Sequence, residues 1–197
     1  MFRRLFSGGS LGNEQLTAAV GSVLLVLLAV EGATLLRLRS LLTVHAFVGM
    51  LLIPVIALKL GSTGWRMMRY YLRGDEYVRR GPPHVALRVF ISPLIVVSTL
   101  TLFGTGVALL ALDQRHGTIA LLHKASFVVW FGATGVHVLA HLVDLGRAFT
   151  RRVPGAAPRA ALVLTSIAVG FGVAMVTLPA ADHLQDAVTA HVGLDAH

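Results

Sequence analysis

Long apolar blocks separated by short polar runs set the pattern of this chain. Five blocks qualify as membrane-spanning helices, over about 15–36, 41–60, 87–112, 119–145 and 160–179. At ~1.5 Å rise per residue, each crosses a hydrocarbon core about 30 Å thick. The first has VGSVLLVLLAV at its centre, and the second reads LLTVHAFVGMLLIPVIALKL. Pro54 and Pro93 fall inside the second and third blocks, where neighbouring helices can satisfy the backbone groups that a proline frees. No internal repeat or low-complexity tract interrupts the pattern. It predicts an all-α, polytopic membrane bundle forming one domain over 1–197, with a core at 15–145, an extra fifth helix at 160–179 and a tail at 180–197.

Composition sharpens this picture. Of the 197 residues, 55% are hydrophobic and only 13% charged, about half the share expected of a soluble domain. Intrinsic disorder is excluded, and the composition argues against a water-soluble globular domain. The absence of cysteine excludes disulfides, thiolate catalysis, Cys-held iron–sulfur clusters and covalent c-type haem attachment. Any metal chemistry must therefore use the nine His together with oxygen ligands.

The net charge of +8 raises the question of nucleic acid, and the positions of the charges answer it. Arg3 and Arg4 precede the first block. Lys59, Arg66, Arg69, Arg73, Arg79, Arg80 and Arg88 lie between the second and third. Arg147, Arg151, Arg152 and Arg159 lie between the fourth and fifth. The opposite side receives only Arg37, Arg39, Arg115 and Lys124. The positive-inside rule then predicts a cytoplasmic N-terminus and an outside C-terminus, in a multi-pass protein of a bacterial-type inner (plasma) membrane. The basic charge reads as an orientation signal, with no nucleic-acid partner. The first block is full length and lacks a cleavage site, so it reads as a span rather than a signal peptide. The stretch 62–84 carries all three Tyr and Trp65 among its arginines. That composition suits an interface-lying anchor helix, and also a docking surface for an acidic partner or anionic headgroups.

Ionisable residues at membrane depth are costly and usually functional. The candidates are Glu31, His45, Lys59, His123, His137 and His141. His45 and His123 lie near the outer ends of the second and fourth helices, which run in the same direction, so both sit at one depth. This is the placement that bis-imidazole ligation of a flat macrocycle requires. Fourteen residues separate His123 from His137, which keeps both on one face about 21 Å apart. Such spacing suits two stacked macrocycles and forbids a single zinc cluster. His137 and His141, at i and i+4, are spaced to clip a metal ion but not to ligate opposite faces of one haem.

The residues around these histidines resemble the membrane-bound cytochrome b561 family and the related b-type cytochrome subunits of bacterial hydrogenases and formate dehydrogenases. In the second helix His45-Ala46-Phe47-Val48-Gly49 is followed by Lys59, fourteen residues after the His. In the fourth, His123-Lys124-Ala125-Ser126-Phe127 leads through Phe131 to His137-Val138-Leu139-Ala140-His141. The resemblance covers the first four helices. It implies an electron-transfer subunit of an oxidoreductase, carrying iron in haem b, with a quinone or a soluble or membrane redox subunit as partner. It implies His45, His123, His137 and Lys59 as cofactor-binding residues, the three His as iron ligands and Lys59 as a partner of a haem propionate. Snorkelling to the interface is the alternative for Lys59. The family also has a haem His near the cytoplasmic end of its first helix, where this chain reads LGNEQLTAAVGS. One haem at His45 and His123 is thus expected. A second would need His137 or His141 with a new partner, for which His84 lies on the correct side.

Each residue has a plainer reading. Paired histidines can hydrogen-bond between helices, and Gly49, Gly104, Gly106, Gly132 and Gly135 can serve helix packing as well as admit a porphyrin edge. Glu31 can pair with a neighbour or accept protons. His116, His183, His191 and His197 are expected to be exposed. The alternative function is a haem-free transporter or channel that uses intramembrane His for protons or metal ions, or an enzyme-anchoring subunit.

Overall fold

The computed structural model describes residues 9–72, 87–150 and 154–194. They form five helices and, among the described residues, no strand: α1 (Gly9–Leu35), α2 (Leu42–Tyr71), α3 (Ser92–Ala111), α4 (Thr118–Thr150) and α5 (Ala156–Leu194). Every helix contains a stretch long and apolar enough to cross a membrane, which makes the chain a multi-pass membrane protein. Large apolar side chains such as Val26, Val97, Val128, Phe131, Leu139 and Val176 face outward, as a lipid-solvated surface allows and water does not.

Neighbour relations define the bundle. α2 packs along α5, α3 along α4 and α1 along α2, whereas α1 meets α4, and α2 meets α3, only sparsely. Among the described residues α2 and α4 make no close backbone approach, nor do α1 and α3. The order around the bundle is therefore α1, α2, α3, α4, with α2 diagonally opposite α4. α5 lies against the outside of α2. The apolar core is Leu16, Val20 and Leu24 from α1, Val48, Leu52 and Val55 from α2, and Val163 from α5. Hydrophobicity does not drive helix association in lipid, so close packing must. α5 supplies it with Ser166, Gly170 and Ala174, all buried and four residues apart. A Cβ at Gly170 would collide with the Leu51 carbonyl, so only glycine permits this crossing.

Three helix ends differ from the sequence expectation. α2 continues beyond 60 to Tyr71, so the first part of the expected interface helix is an extension of α2. The rest of that stretch, from Arg73 to His84, lies outside the described residues. Pro93 sits in the first turn of α3 rather than in its interior, where its missing N–H costs little. The turn before it, Leu87–Ile91, widens to π geometry, as expected where the 93-to-89 backbone bond cannot form. α5 runs through Pro179 to Leu194, so residues 180–194 are helix rather than a tail. Ala181 and Leu184 are buried there, and this packing holds the helix beyond the proline.

Candidate functional site

Hairpin geometry brings the first set of residues together. Glu31 and His45 lie on either side of the 36–41 connection at matching distances from it, so the antiparallel α1–α2 pair sets them side by side. The His45 Nδ1 is 3.0 Å from Glu31 Oε1 and 3.0 Å from Thr34 Oγ1. The Thr34 hydroxyl donates to the Glu31 carbonyl at 2.6 Å, so its oxygen can only accept from the imidazole. A carboxylate likewise accepts. Both partners therefore place the proton on Nδ1 of His45 and leave the Nε2 lone pair free.

The α3–α4 hairpin repeats this arrangement with different groups. His123 Nδ1 lies 3.0 Å from the Leu102 carbonyl and 3.2 Å from Thr105 Oγ1, and the Thr105 hydroxyl donates to the Thr101 carbonyl at 2.6 Å. A carbonyl can only accept, so His123 also carries its proton on Nδ1. A Cβ at Gly106 would come within 3.2 Å of the His123 ring, so glycine there gives the ring its room. Gly49 borders the Glu31 carboxylate, while nothing lies within 4 Å of a Cβ placed at Gly104, Gly132 or Gly135. His45 on α2 and His123 on α4 thus belong to the diagonal pair of helices, whose backbones make no close approach among the described residues.

The position of His45 depends on α5. Gln185 Oε1 accepts from the Leu42 amide at 2.8 Å and from the Thr43 amide at 3.3 Å, and its Nε2 donates to the Arg39 carbonyl. These are amides that a helix N-terminus leaves without an intrahelical partner. A side chain from the extension of α5 thus caps α2 one turn before the histidine.

The second set lies fourteen residues further along the same two helices. Lys59 does not snorkel. Its Nζ donates to the Thr17 carbonyl at 2.7 Å and abuts Gly21, turned toward α1. Around it, Asn13 Nδ2 donates to the Ser62 carbonyl at 3.0 Å and Thr17 Oγ1 to Ser62 Oγ at 3.1 Å. On α4, the His137 ring lies 4.7 Å from that of His141 at a tilt of 57°. His137 Nδ1 and Thr134 Oγ1 are buried without a hydrogen-bond partner among the described residues, as is Glu31 Oε2 at the first level. His123, His137 and His141 share the inward stripe of α4 with Trp130 and Ala133.

Of the residues singled out from sequence, the structure brings Glu31 to His45 and His137 to His141, sets His123 against α3 and turns Lys59 toward α1. His84 lies outside the described residues. His116 is exposed, and the largely exposed His183 approaches Asp113 at 3.5 Å. No group of three or more His, Asp or Glu placed to hold a metal ion occurs among the described residues. Comparison with protein-family models, characterised proteins and solved structures gives no match to this chain. The chemistry at the site must therefore carry the functional reading. Sequence reasoning missed Thr34, Thr105, the Leu102 carbonyl and Gln185. The first three were findable, because each is mirrored near its histidine about a short helix connection.

Proposed function

We propose that this protein is a membrane b-type cytochrome in which one haem b is held across the bundle axis between His45 and His123. One observation carries the reading. Two imidazoles on diagonally opposed helices each have Nδ1 against an oxygen acceptor, which supports Nε2 as the nitrogen available for ligation. Metal-bound histidines characteristically donate their other N–H to a carboxylate or carbonyl. Among the described residues the diagonal helices α2 and α4 make no close backbone approach, which is compatible with the width of a macrocycle.

Haem in such a site supplies one-electron ferric–ferrous chemistry. The chain's own residues do the rest. His45 and His123 would hold the haem through Nε2, and the haem so held would supply electron passage rather than oxygen chemistry. Glu31 and Thr34 orient one ring, Leu102 and Thr105 the other. The apolar helices exclude water, and buried polar groups there act in a low dielectric. The protein is accordingly an electron conduit of an oxidoreductase rather than a stand-alone catalyst. Its partner would be a quinone of the bilayer or a docked redox subunit. The arginine-rich connections set the N-terminal end of the bundle in the cytoplasm of a bacterial-type inner membrane.

The test is spectroscopic. Protein purified in mild detergent should give a low-spin b-type spectrum on dithionite reduction, with one haem per chain by pyridine haemochrome. His45→Ala and His123→Ala should each abolish it. A chain that binds no haem after expression with ample haem supply overturns the reading in favour of a haem-free transporter or anchoring subunit.

A further inference from the structure

The inward stripe of α4 carries two further histidines that the proposed haem site does not use. His137 and His141 stand one turn apart, both half-buried, with their rings 4.7 Å from one another at a tilt of 57°. His137 Nδ1 and the Thr134 hydroxyl are buried and have no hydrogen-bond partner among the described residues. Buried polar atoms are rarely left so, because each forfeits about 1–3 kcal/mol. Thr134, His137 and His141 are spaced by three and four residues, which puts them on one face of the helix. Charged residues return soon after them in the sequence, at Asp144, Arg147, Arg151 and Arg152. A water-borne ligand can therefore reach this end of α4 without crossing the apolar core.

The two orphaned atoms ask for different partners. An imidazole nitrogen without a proton offers a lone pair, whereas a hydroxyl both donates and accepts. A hydrated metal ion meets both needs, with an electrophile for the lone pair and a water for the hydroxyl. The ring spacing fits such an ion. With bonds of about 2.0–2.1 Å to nitrogen, the ion lies about 3.2 Å from each ring centre, so centres 4.7 Å apart subtend about 95° there. That angle belongs to adjacent positions of a four- to six-coordinate ion, and not to the opposed positions by which two imidazoles bracket a haem. Histidines four residues apart on one helix face take a single zinc ion in this way. Imidazoles as the protein donors select zinc, copper or nickel over calcium or magnesium. No third His, Asp or Glu joins the pair among the described residues, so water fills the remaining positions.

We propose that His137 and His141 clip a divalent first-row transition-metal ion such as zinc at the end of α4 that leads into the arginine-rich 146–159 connection. The site is separate from the haem position between His45 and His123, and it stands whether or not the chain binds haem.

Equilibrium dialysis of the full chain against buffered Zn2+ in detergent, after purification through an affinity tag without histidine, tests this, with zinc and haem counted on the same samples. The expected result is saturable binding of one zinc per chain. His137→Phe and His141→Gln should each weaken it about tenfold or more, since even a partner behind a ligand is worth that much. His141→Gln keeps a hydrogen-bonding side chain in place, so it reports on ligation even if the larger change impairs folding. His183→Ala, which alters the exposed pair with Asp113, should leave zinc affinity unchanged. Absence of saturable binding overturns the proposal, as does unchanged affinity in His137→Phe and His141→Gln. Equal weakening by His183→Ala also overturns it, since the zinc would then sit on exposed histidines. A haem count that falls in His137→Phe or His141→Gln overturns it in favour of haem ligation by these rings. Chains that carry no haem yet bind zinc and lose it in the two variants would sink the cytochrome reading and sustain this one.

Discussion

The bundle presents two polar levels on the same pair of helices, each fourteen residues from the other, and they are finished differently. At the level of His45 and His123, both rings are anchored at Nδ1 by groups of the neighbouring helix. At the level of Lys59 and His137, one side is an ammonium tied to a backbone carbonyl and the other an imidazole whose Nδ1 has no partner among the described residues. The first level has its tautomers set and its rings aimed, as haem ligation between two helices requires. The second has no ring so fixed. A histidine in a membrane helix thus says little by itself. What its second nitrogen touches separates a ring prepared to reach across the bundle from one left unanchored.

The comparison can be broken most severely at the proposed iron ligands. His45→Ala or His123→Ala should eliminate haem entirely, whereas His137→Ala should leave the haem count per chain unchanged. Equal loss from all three would erase the distinction between the levels.

Next in size is the packing that supports the first level. Gly170→Leu drives a side chain into the Leu51 carbonyl and should cost at least about 1–3 kcal/mol, seen as a lowered midpoint of thermal unfolding in detergent. Haem should be lost along with α2 packing.

Glu31→Gln should sharpen the comparison rather than abolish it. It keeps an acceptor for His45 but removes the charge that strengthens the imidazole as a donor. Affinity for haem should fall about 10–100-fold, and the midpoint potential should rise in a redox titration. An unchanged potential would separate Glu31 from the iron.

Gln185→Leu is the mildest of the series. It uncaps the Leu42 and Thr43 amides and should lower stability by about 1 kcal/mol. The reduced absorbance bands should broaden as His45 gains freedom.

Much of this was legible in the sequence, and the reasons are specific. The five spans follow from block length and hydropathy. The common depth of His45 and His123 follows from helical rise on two helices of the same direction. Glu31 was visible as an intramembrane carboxylate, but the choice of partner depends on which helix lies beside α1, and that is a tertiary fact. Lys59 was open between snorkelling and pairing. The structure turns it inward because Gly21 leaves room for its Nζ beside the Thr17 carbonyl. Pro179 reads locally as a terminator, yet α5 passes through it because Ala181 and Leu184 are buried beyond. Gln185 was invisible, since nothing near it in the chain hints at amides 142 and 143 residues away.

That last contact has a consequence for how the protein is made. α1 to α4 can leave the ribosome and enter the bilayer before α5 exists, and both histidines of the first level will then already be in the membrane. Yet the turn ahead of His45 stays uncapped until α5 is threaded and its far end arrives. On the proposed cytochrome reading, loading of the cofactor is thereby tied to insertion of α5. A product stalled within α5 would carry His45 and His123 and still hold haem loosely, which the haem content of such a product would show.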